Sequence, residues 1–320
     1  MRFRFVTRSL FLILLATSTL TLTAVSQPRR APAAPASTGR SITITTEPDT
    51  AVWIDDIRYG TTDKEGRFEI RNLGAGGHTL RLRSDGYKER SQPLTAAQQG
   101  EIKVVLIRTT DEAELAYQEA ERLTASDREK SAEAYRRAAR IRPNYPECYL
   151  GLARVLSDAG DQDAALKAII SARKLRPGYA EASAVEGRIQ KENGEEAKAI
   201  TAFKRAIVEG KGVQPEAYTG LGLLYKEKAE NLGSSGDFAG ETANYDESAK
   251  DFKLALKQLG GAPDAIVLYQ LLGLVYERQK KYPDAIALYE EFLRLFPDSP
   301  EATSVRSFIV QIRKDMANPQ

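Results

Sequence analysis

The 320-residue chain holds one histidine, His78, and one cysteine, Cys148. A zinc site built on imidazole or thiolate needs several such ligands, and a Ser-His or Cys-His nucleophile needs a histidine within reach. Any chemistry of that kind would have to pass through these two positions. His78 begins a stretch of alternating polarity with no ligand-type residue beside it, and reads as an exposed strand histidine. Cys148 falls among helical apolar residues and reads as a small buried side chain, and a lone cysteine excludes a disulfide within the chain. Ser171-Ala-Arg-Lys174 has the serine-to-lysine spacing of an acylating nucleophile, but the companion motifs of that chemistry are missing. There is no Gly-x-x-x-x-Gly-Lys-Ser/Thr phosphate loop. Acidic residues alternate with Lys and Arg along helices, the pattern of a solvated face rather than of a catalytic carboxylate pair. The expectation is a non-enzymatic protein with no catalytic residue, no metal site and no cofactor. Two uses are open for the single tryptophan, Trp53: packing on a sheet, the commoner fate of a large aromatic, or a platform for stacking on a sugar.

Charge leads to the organisation of the chain. Lys and Arg number 46 against 44 Asp and Glu, which offers no basic footprint for nucleic acid. Residues 1–26 begin with Arg2, Arg4 and Arg8, continue into an apolar run from Leu10, and end in the small-x-small tripeptide Ala24-Val25-Ser26. This reads as a secretory signal peptide, and the run is short for a membrane span and diluted by hydroxyl residues. The protein is therefore expected to be exported to the periplasm or the extracellular space; left uncleaved, the same segment would anchor it in the inner membrane. Without residues 1–26 the balance becomes 43 positive against 44 negative residues, so the mature chain has no basic character. Residues 27–40 are rich in Pro and Ala and read as a tether.

From residue 41 to 108 the pattern is period-2 alternation. Ile42 and Ile44 alternate with threonines, Val52-Trp53-Ile54 precedes Asp55-Asp56, Phe68 and Ile70 flank Glu69, and Leu80 and Leu82 alternate with Arg81 and Arg83. Turn-forming clusters separate the runs, which predicts antiparallel strands with one buried face and a minimal β-sandwich. The stretch TTEPDTAVWIDD, the Tyr59-Gly60-Thr61-Thr62 turn, GGHTLRLR and the closing Asp85-Gly86-Tyr87 resemble the PEGA domain of bacterial envelope proteins; TTDKEGRFEIRNLGAGGHTLRLRSDGY equally resembles the carboxypeptidase-regulatory-like sandwich. Asp56 stands where a PEGA domain usually has Gly. Both resemblances imply a spacer or adhesive module without catalytic residues.

From residue 112 onward helix-forming residues dominate and the chain repeats itself. Tyr135, Ile169 and Phe203 are spaced 34 apart, as are Ser131, Ala165 and Ala199, and Ala138, Ala172 and Ala206. First helices carry Tyr149-x-x-Leu152-Ala153, Tyr218-x-x-Leu221-Gly222 and Tyr269-x-x-Leu272-Gly273. This resembles the tetratricopeptide repeat and implies stacked helical hairpins in an all-α, right-handed superhelical solenoid. Five units are expected over 112–299, with a capping helix over 300–316. The third unit carries Glu186 where Leu is usual, and the fourth has an insertion near 231–244 whose Gly-Ser-Ser-Gly-Asp-Phe stretch has loop composition, so an extended helix pair with a mobile tip is expected there.

The resemblance further implies a concave groove that holds a protein or peptide segment. Its columns here include Arg154, Arg188, Lys191, Leu223, Lys226, Gln270, Leu274 and Arg278, with Leu150, Ala184 and Val267 in the same register. The run of Arg154, Arg188, Lys191 and Lys226 suggests an acidic or carboxylate-bearing segment at the N-terminal repeats. The chain is thus expected to be an envelope adaptor acting through this groove. The alternative is a wall- or glycan-binding protein in which the sandwich, through Trp53, adheres to peptidoglycan or another glycan and the repeats act as a spacer.

Overall fold

The computed structural model describes residues 40–317, so the export segment 1–26 and all of the tether but Arg40 lie outside the described residues. Seven strands come first: β1 (Arg40–Thr45), β2 (Ala51–Ile54), β3 (Ile57–Thr61), β4 (Arg67–Leu73), β5 (His78–Arg83), β6 (Arg90–Leu94) and β7 (Gly100–Lys103). They form two sheets, in the orders β4-β1-β7 and β3-β2-β5-β6. Every pairing is antiparallel except that of β1 with β7. Alternation decides which side chains meet. Ile42, Ile44, Val52, Ile54, Ile70, Leu80 and Leu82 enter one core shared by both sheets. Trp53, Arg81 and Arg83 occupy the intervening positions and so fall on the outer face of the second sheet. Asp55 and Asp56 join β2 to β3 with φ of 51° and 65°, the left-handed pair that a two-residue hairpin turn requires. Asp56 therefore adopts the conformation that glycine would supply.

Eleven helices follow among the described residues: α1 (Glu112–Leu123), α2 (Arg128–Ile141), α3 (Pro146–Asp158), α4 (Gln162–Leu175), α5 (Ala180–Glu192), α6 (Glu196–Glu209), α7 (Pro215–Ser234), α8 (Phe238–Leu259), α9 (Ala265–Arg278), α10 (Tyr282–Leu295) and α11 (Ala302–Ala317). The first ten make five consecutive hairpins and α11 packs on α10. Short loops with defined chemistry turn the chain: Gly160 takes φ +85° and Asp161 then caps α4 by accepting from the Ala164 amide at 3.1 Å. The insertion near 231–244 forms an extended helix pair with a short turn at its tip. Gly233 and Ser234 close α7, Gly236 turns at φ +85°, and Asp237 caps α8 through the Gly240 amide at 2.9 Å. The extra residues lengthen both helices, to 20 and 22 residues.

What closes each hairpin is a small residue on its first helix opposite a bulky side chain on its second. A methyl group at Gly187 would sit 2.5 Å from the Phe203 ring, and one at Gly222 2.6 Å from Phe252. Tyr135, Ile169, Phe203, Phe252 and Tyr289, the column expected to fill this space, are all buried. Glu186, the departure from the pattern in the third unit, is half-buried and accommodated by Arg205 at 2.6 Å and Arg173 at 3.5 Å. Asp251 on α8 is only 6% exposed, and burial raises its carboxyl pKa to about 6, with Lys250 opposing the shift.

Gly222→Ala should cost about 1–3 kcal/mol, because crowding against Phe252 outweighs the gain in helix propensity, and should lower the thermal midpoint with helix content unchanged; a second change, Phe252→Leu, should recover part of the loss. For Asp251 the effect depends on pH. Because the unfolded carboxyl ionises at lower pH, the folded form holds the extra proton between the two values, so the contribution of Asp251 is present at low pH and lost as pH rises through about 6. Asp251→Asn should therefore raise the melting temperature at pH 7.5, by up to about 3 kcal/mol of stability, and by much less at pH 5; equal gains at both pH values would contradict it.

Candidate functional site

First helices of neighbouring hairpins stand side by side, α3 against α5 and α5 against α7. On this face the cations singled out from the repeat register do not wait for a ligand. Arg154 on α3 reaches Glu216 on α7 at 3.3 Å, and Arg188 on α5 meets Asp158 at 3.0 Å, Glu192 at 3.6 Å and Glu216 at 4.0 Å. Lys191 pairs with Glu227 at 2.6 Å and Lys226 with Glu230 at 2.7 Å. Each of the four already has a carboxylate, so an acidic segment at the N-terminal repeats would have to compete with these ion pairs. Leu150 and Ala184, in the same register, are buried inside the array and offer no surface.

The last column differs. Val267, Gln270, Leu274 and Arg278 lie at one-turn and two-turn steps along α9 and are all exposed, Val267 by 52% and Leu274 by 37%. Arg278 forms no ion pair among the described residues. Leu223 on α7 is half-buried beside the same core. An apolar stripe with an amide and a free guanidinium can seat a helix or strand of another protein.

The β module lies against the helical face at both of its ends, an arrangement no local pattern announces. Arg83 at the end of β5 is 8% exposed. Its guanidinium donates to Tyr117 Oη at 3.1 Å and Glu121 at 2.5 Å, pairs with Glu89, and sits 4.6 Å over the Tyr117 ring. Burial opposes its charge, but Tyr117, Glu121 and Glu89 together outweigh that and hold the group protonated. Beside it the Gly86 amide donates to Gln118 Oε1 at 2.8 Å, and Gln118 Nε2 donates to the Tyr87 carbonyl at 2.7 Å. At the opposite end Ile57 packs against the core of the last repeats. The Arg83 anchor escapes a reading of the strand, where an Arg-Leu-Arg alternation signifies a solvated outer face.

The other candidate side chains are each engaged with neighbours. His78 is not an exposed strand histidine: it is half-buried, with Nδ1 2.6 Å from Asp55 Oδ2 and Nε2 3.0 Å from the Gly74 carbonyl. It fastens the β2–β3 turn to the start of β5, and no group of residues able to hold a metal occurs among the described residues. Trp53 is half-buried and carries the guanidinium of Arg81 4.7 Å from its ring centroid and that of Arg83 at 5.6 Å. Both guanidiniums interact with the ring as cation–π partners. The Ser171 hydroxyl donates to the Lys167 carbonyl at 3.1 Å, one turn back on α4, which gives it no activating base. No described helix is long and apolar enough to cross a membrane.

Two stretches match tetratricopeptide repeat models, residues 150–213 and residues 266–306. No curated protein matches the chain. Solved structures with a similar fold include yeast Tom70, 15% identical over 65% of this chain and 41% of that one, with a TM-score of 0.52. Others are TTC0263, a tetratricopeptide repeat protein from Thermus thermophilus (18% identity, 62% and 98% covered, TM-score 0.45), and MamA from residue 41 onward from Desulfovibrio magneticus RS-1 (19%, 59% and 98%, 0.42). At 15% identity the Tom70 likeness speaks to the fold alone. The chain thus carries tetratricopeptide repeats in a helical solenoid preceded by a small two-sheet β region. Such repeats typically bind proteins or peptides, which supports a protein-interaction scaffold.

Cys148 is fully buried in the core shared by the first three repeats, and burial first, then the Glu147 charge, raises its thiol pKa. A thiol held neutral and out of water is inert. At pH 8 a thiol reagent should modify Cys148 at least about 100-fold more slowly in the folded chain than in denaturant, since attack must await local opening; rapid modification of folded protein would show the opposite.

Proposed function

We propose that this protein is a non-enzymatic adaptor of the cell envelope. Its first 26 residues export it to the periplasm or beyond, its PEGA-like sandwich and its repeats act as one scaffold, and a protein partner docks on α9. The observation that carries this reading is the exposed column Val267, Gln270, Leu274 and Arg278, in contrast to the internally paired charges of the preceding columns. Two apolar residues about two turns apart, with an amide between them and a cation one turn beyond, favour a partner segment with an apolar face and an acidic end. The non-enzymatic part of the reading is supported by the single histidine's engagement with Asp55, the burial of the single thiol and the bond of the candidate serine to its own helix.

The test places a photo-crosslinking residue at Val267 of the full chain in its native envelope, with Leu274→Glu as the comparison. A discrete protein adduct that falls at least about tenfold in Leu274→Glu, with circular dichroism unchanged, is expected, since a charge at the centre of an apolar contact costs more than one factor of ten. Equal adduct yield in both forms would refute docking at α9. Fractionation of the same cells checks export, and recovery only with the cytosol would refute the envelope assignment.

A further inference from the structure

The two sheets of the sandwich end in four edge strands, and three of these are guarded. β4 and β3 border the repeats: a methyl group at Gly261 would lie 3.5 Å from the Arg71 carbonyl oxygen on β4, and one at Gly260 would lie 3.7 Å from Tyr59 Oη on β3. β6 carries Pro93, which has no amide to offer a further strand. β7 has neither guard. It pairs with β1 alone, and its Gly100, Glu101 and Lys103 are exposed while Ile102 enters the core.

One hydrogen bond tells which backbone groups are open. The Val104 amide donates to the Thr45 carbonyl on β1 at 2.9 Å, so Ile102, two residues earlier, also turns its amide and carbonyl toward β1. Those of Glu101 and Lys103 then point outward, where no strand among the described residues pairs with them. Past Val104 the same edge is taken, since the Lys88 amide donates to the Ile107 carbonyl at 2.8 Å and Arg90 reaches the Val105 carbonyl at 3.5 Å. The free edge is therefore short, and its two outward residues carry opposite charges on one face. Lys103 Nζ stands 3.6 Å from Glu101, yet 74% of the lysine side chain and 41% of the glutamate remain exposed.

We infer that the β7 edge takes the same edge of a second copy of this chain, antiparallel, with Ile102 of each copy opposite the other. In that register Glu101 and Lys103 of one copy face Lys103 and Glu101 of the second and exchange backbone hydrogen bonds with them, and the two three-stranded sheets join edge to edge. Opposite residues of an antiparallel pair share a face, so both cores stay on the same side of the joined sheet. Other registers are worse. Centring on Lys103 sets lysine against lysine, and centring on Glu101 sets glutamate against glutamate. Pairing out of phase by one residue sets core-facing side chains of one copy against outward ones of the other. Centring on Val104 needs the edge that Lys88 and Arg90 already occupy. The site lies on the sandwich and does not depend on what α9 holds.

The test is sedimentation equilibrium of the chain from residue 27 onward, which keeps every described residue, at low salt and up to about 1 mM, because an edge this short buries less than the ~1,200 Å² of a stable interface. A reversible dimer weakened by added salt is expected. Lys103→Glu and Glu101→Lys each set like charges opposite one another twice, and each should weaken self-association at least about tenfold. An equimolar mixture of the two variants restores every opposite pair. It should recover the association of the unsubstituted chain, which also shows that both variants fold. Leu274→Glu should leave the dimer unchanged. A monomer at every concentration would overturn the inference and leave Lys103 as a charge that guards the edge. Dimers indifferent to both charge reversals, a mixture no tighter than its components, or loss of the dimer in Leu274→Glu would each overturn it as well.

Discussion

The structure depends on how closely two helices can approach. At Gly187, Gly222 and Gly273 the first helix of a hairpin lies flat against the ring of Phe203, Phe252 or Tyr289 on the second, with no space for a methyl group between. Each aromatic is then buried, and a single hairpin cannot achieve that burial in water alone, so the hairpins stack. Two consequences follow. Neighbouring first helices stand in register, and polar side chains that the repeat places on their open face come within reach of one another across repeats.

That register explains the charge pattern. Arg154 and Glu216 are separated by 62 residues and two repeat steps, yet they form an ion pair. Along a single helix the same residues look like unassigned cations and anions. Exposed pairs of this sort add little to stability, but they set opposite charges side by side across repeats. Only the α9 column, where apolar residues replace the ladder, keeps its surface.

The contact between sandwich and repeats follows a different logic. It centres on one buried guanidinium, Arg83, and such a group stays buried only while every partner is present, because charge without compensation is costly in a low-dielectric site. Gln118 strengthens the attachment by bonding to backbone on both sides of the Gly86-Tyr87 turn. Specificity is therefore concentrated in a few polar atoms, while the apolar end near Ile57 and Ile266 contributes area with gaps.

Local patterns determined much of this protein. Alternation at Ile42, Ile44, Val52, Ile54, Leu80 and Leu82 marked the strands that share a core, and the period of 34 marked the helical repeats, because burial on one face imposes a spacing on neighbouring residues. The burial of Cys148 and of the Tyr135, Phe203 and Phe252 column was legible for the same reason. The state of His78 was not, since Asp55 reaches it only across a strand pairing. The extended helix pair at the insertion was legible too, with the Gly and Ser residues marking its tip, and continued packing of α7 on α8 outweighs their weak helix propensity at Gly233 and Ser234. Which cations are already paired, and that the sandwich rests on the repeats through Arg83, was decided by tertiary structure alone. Those contacts join residues tens of positions apart, so they depend on where stacking brings each helix and strand, and no periodicity within an element records that.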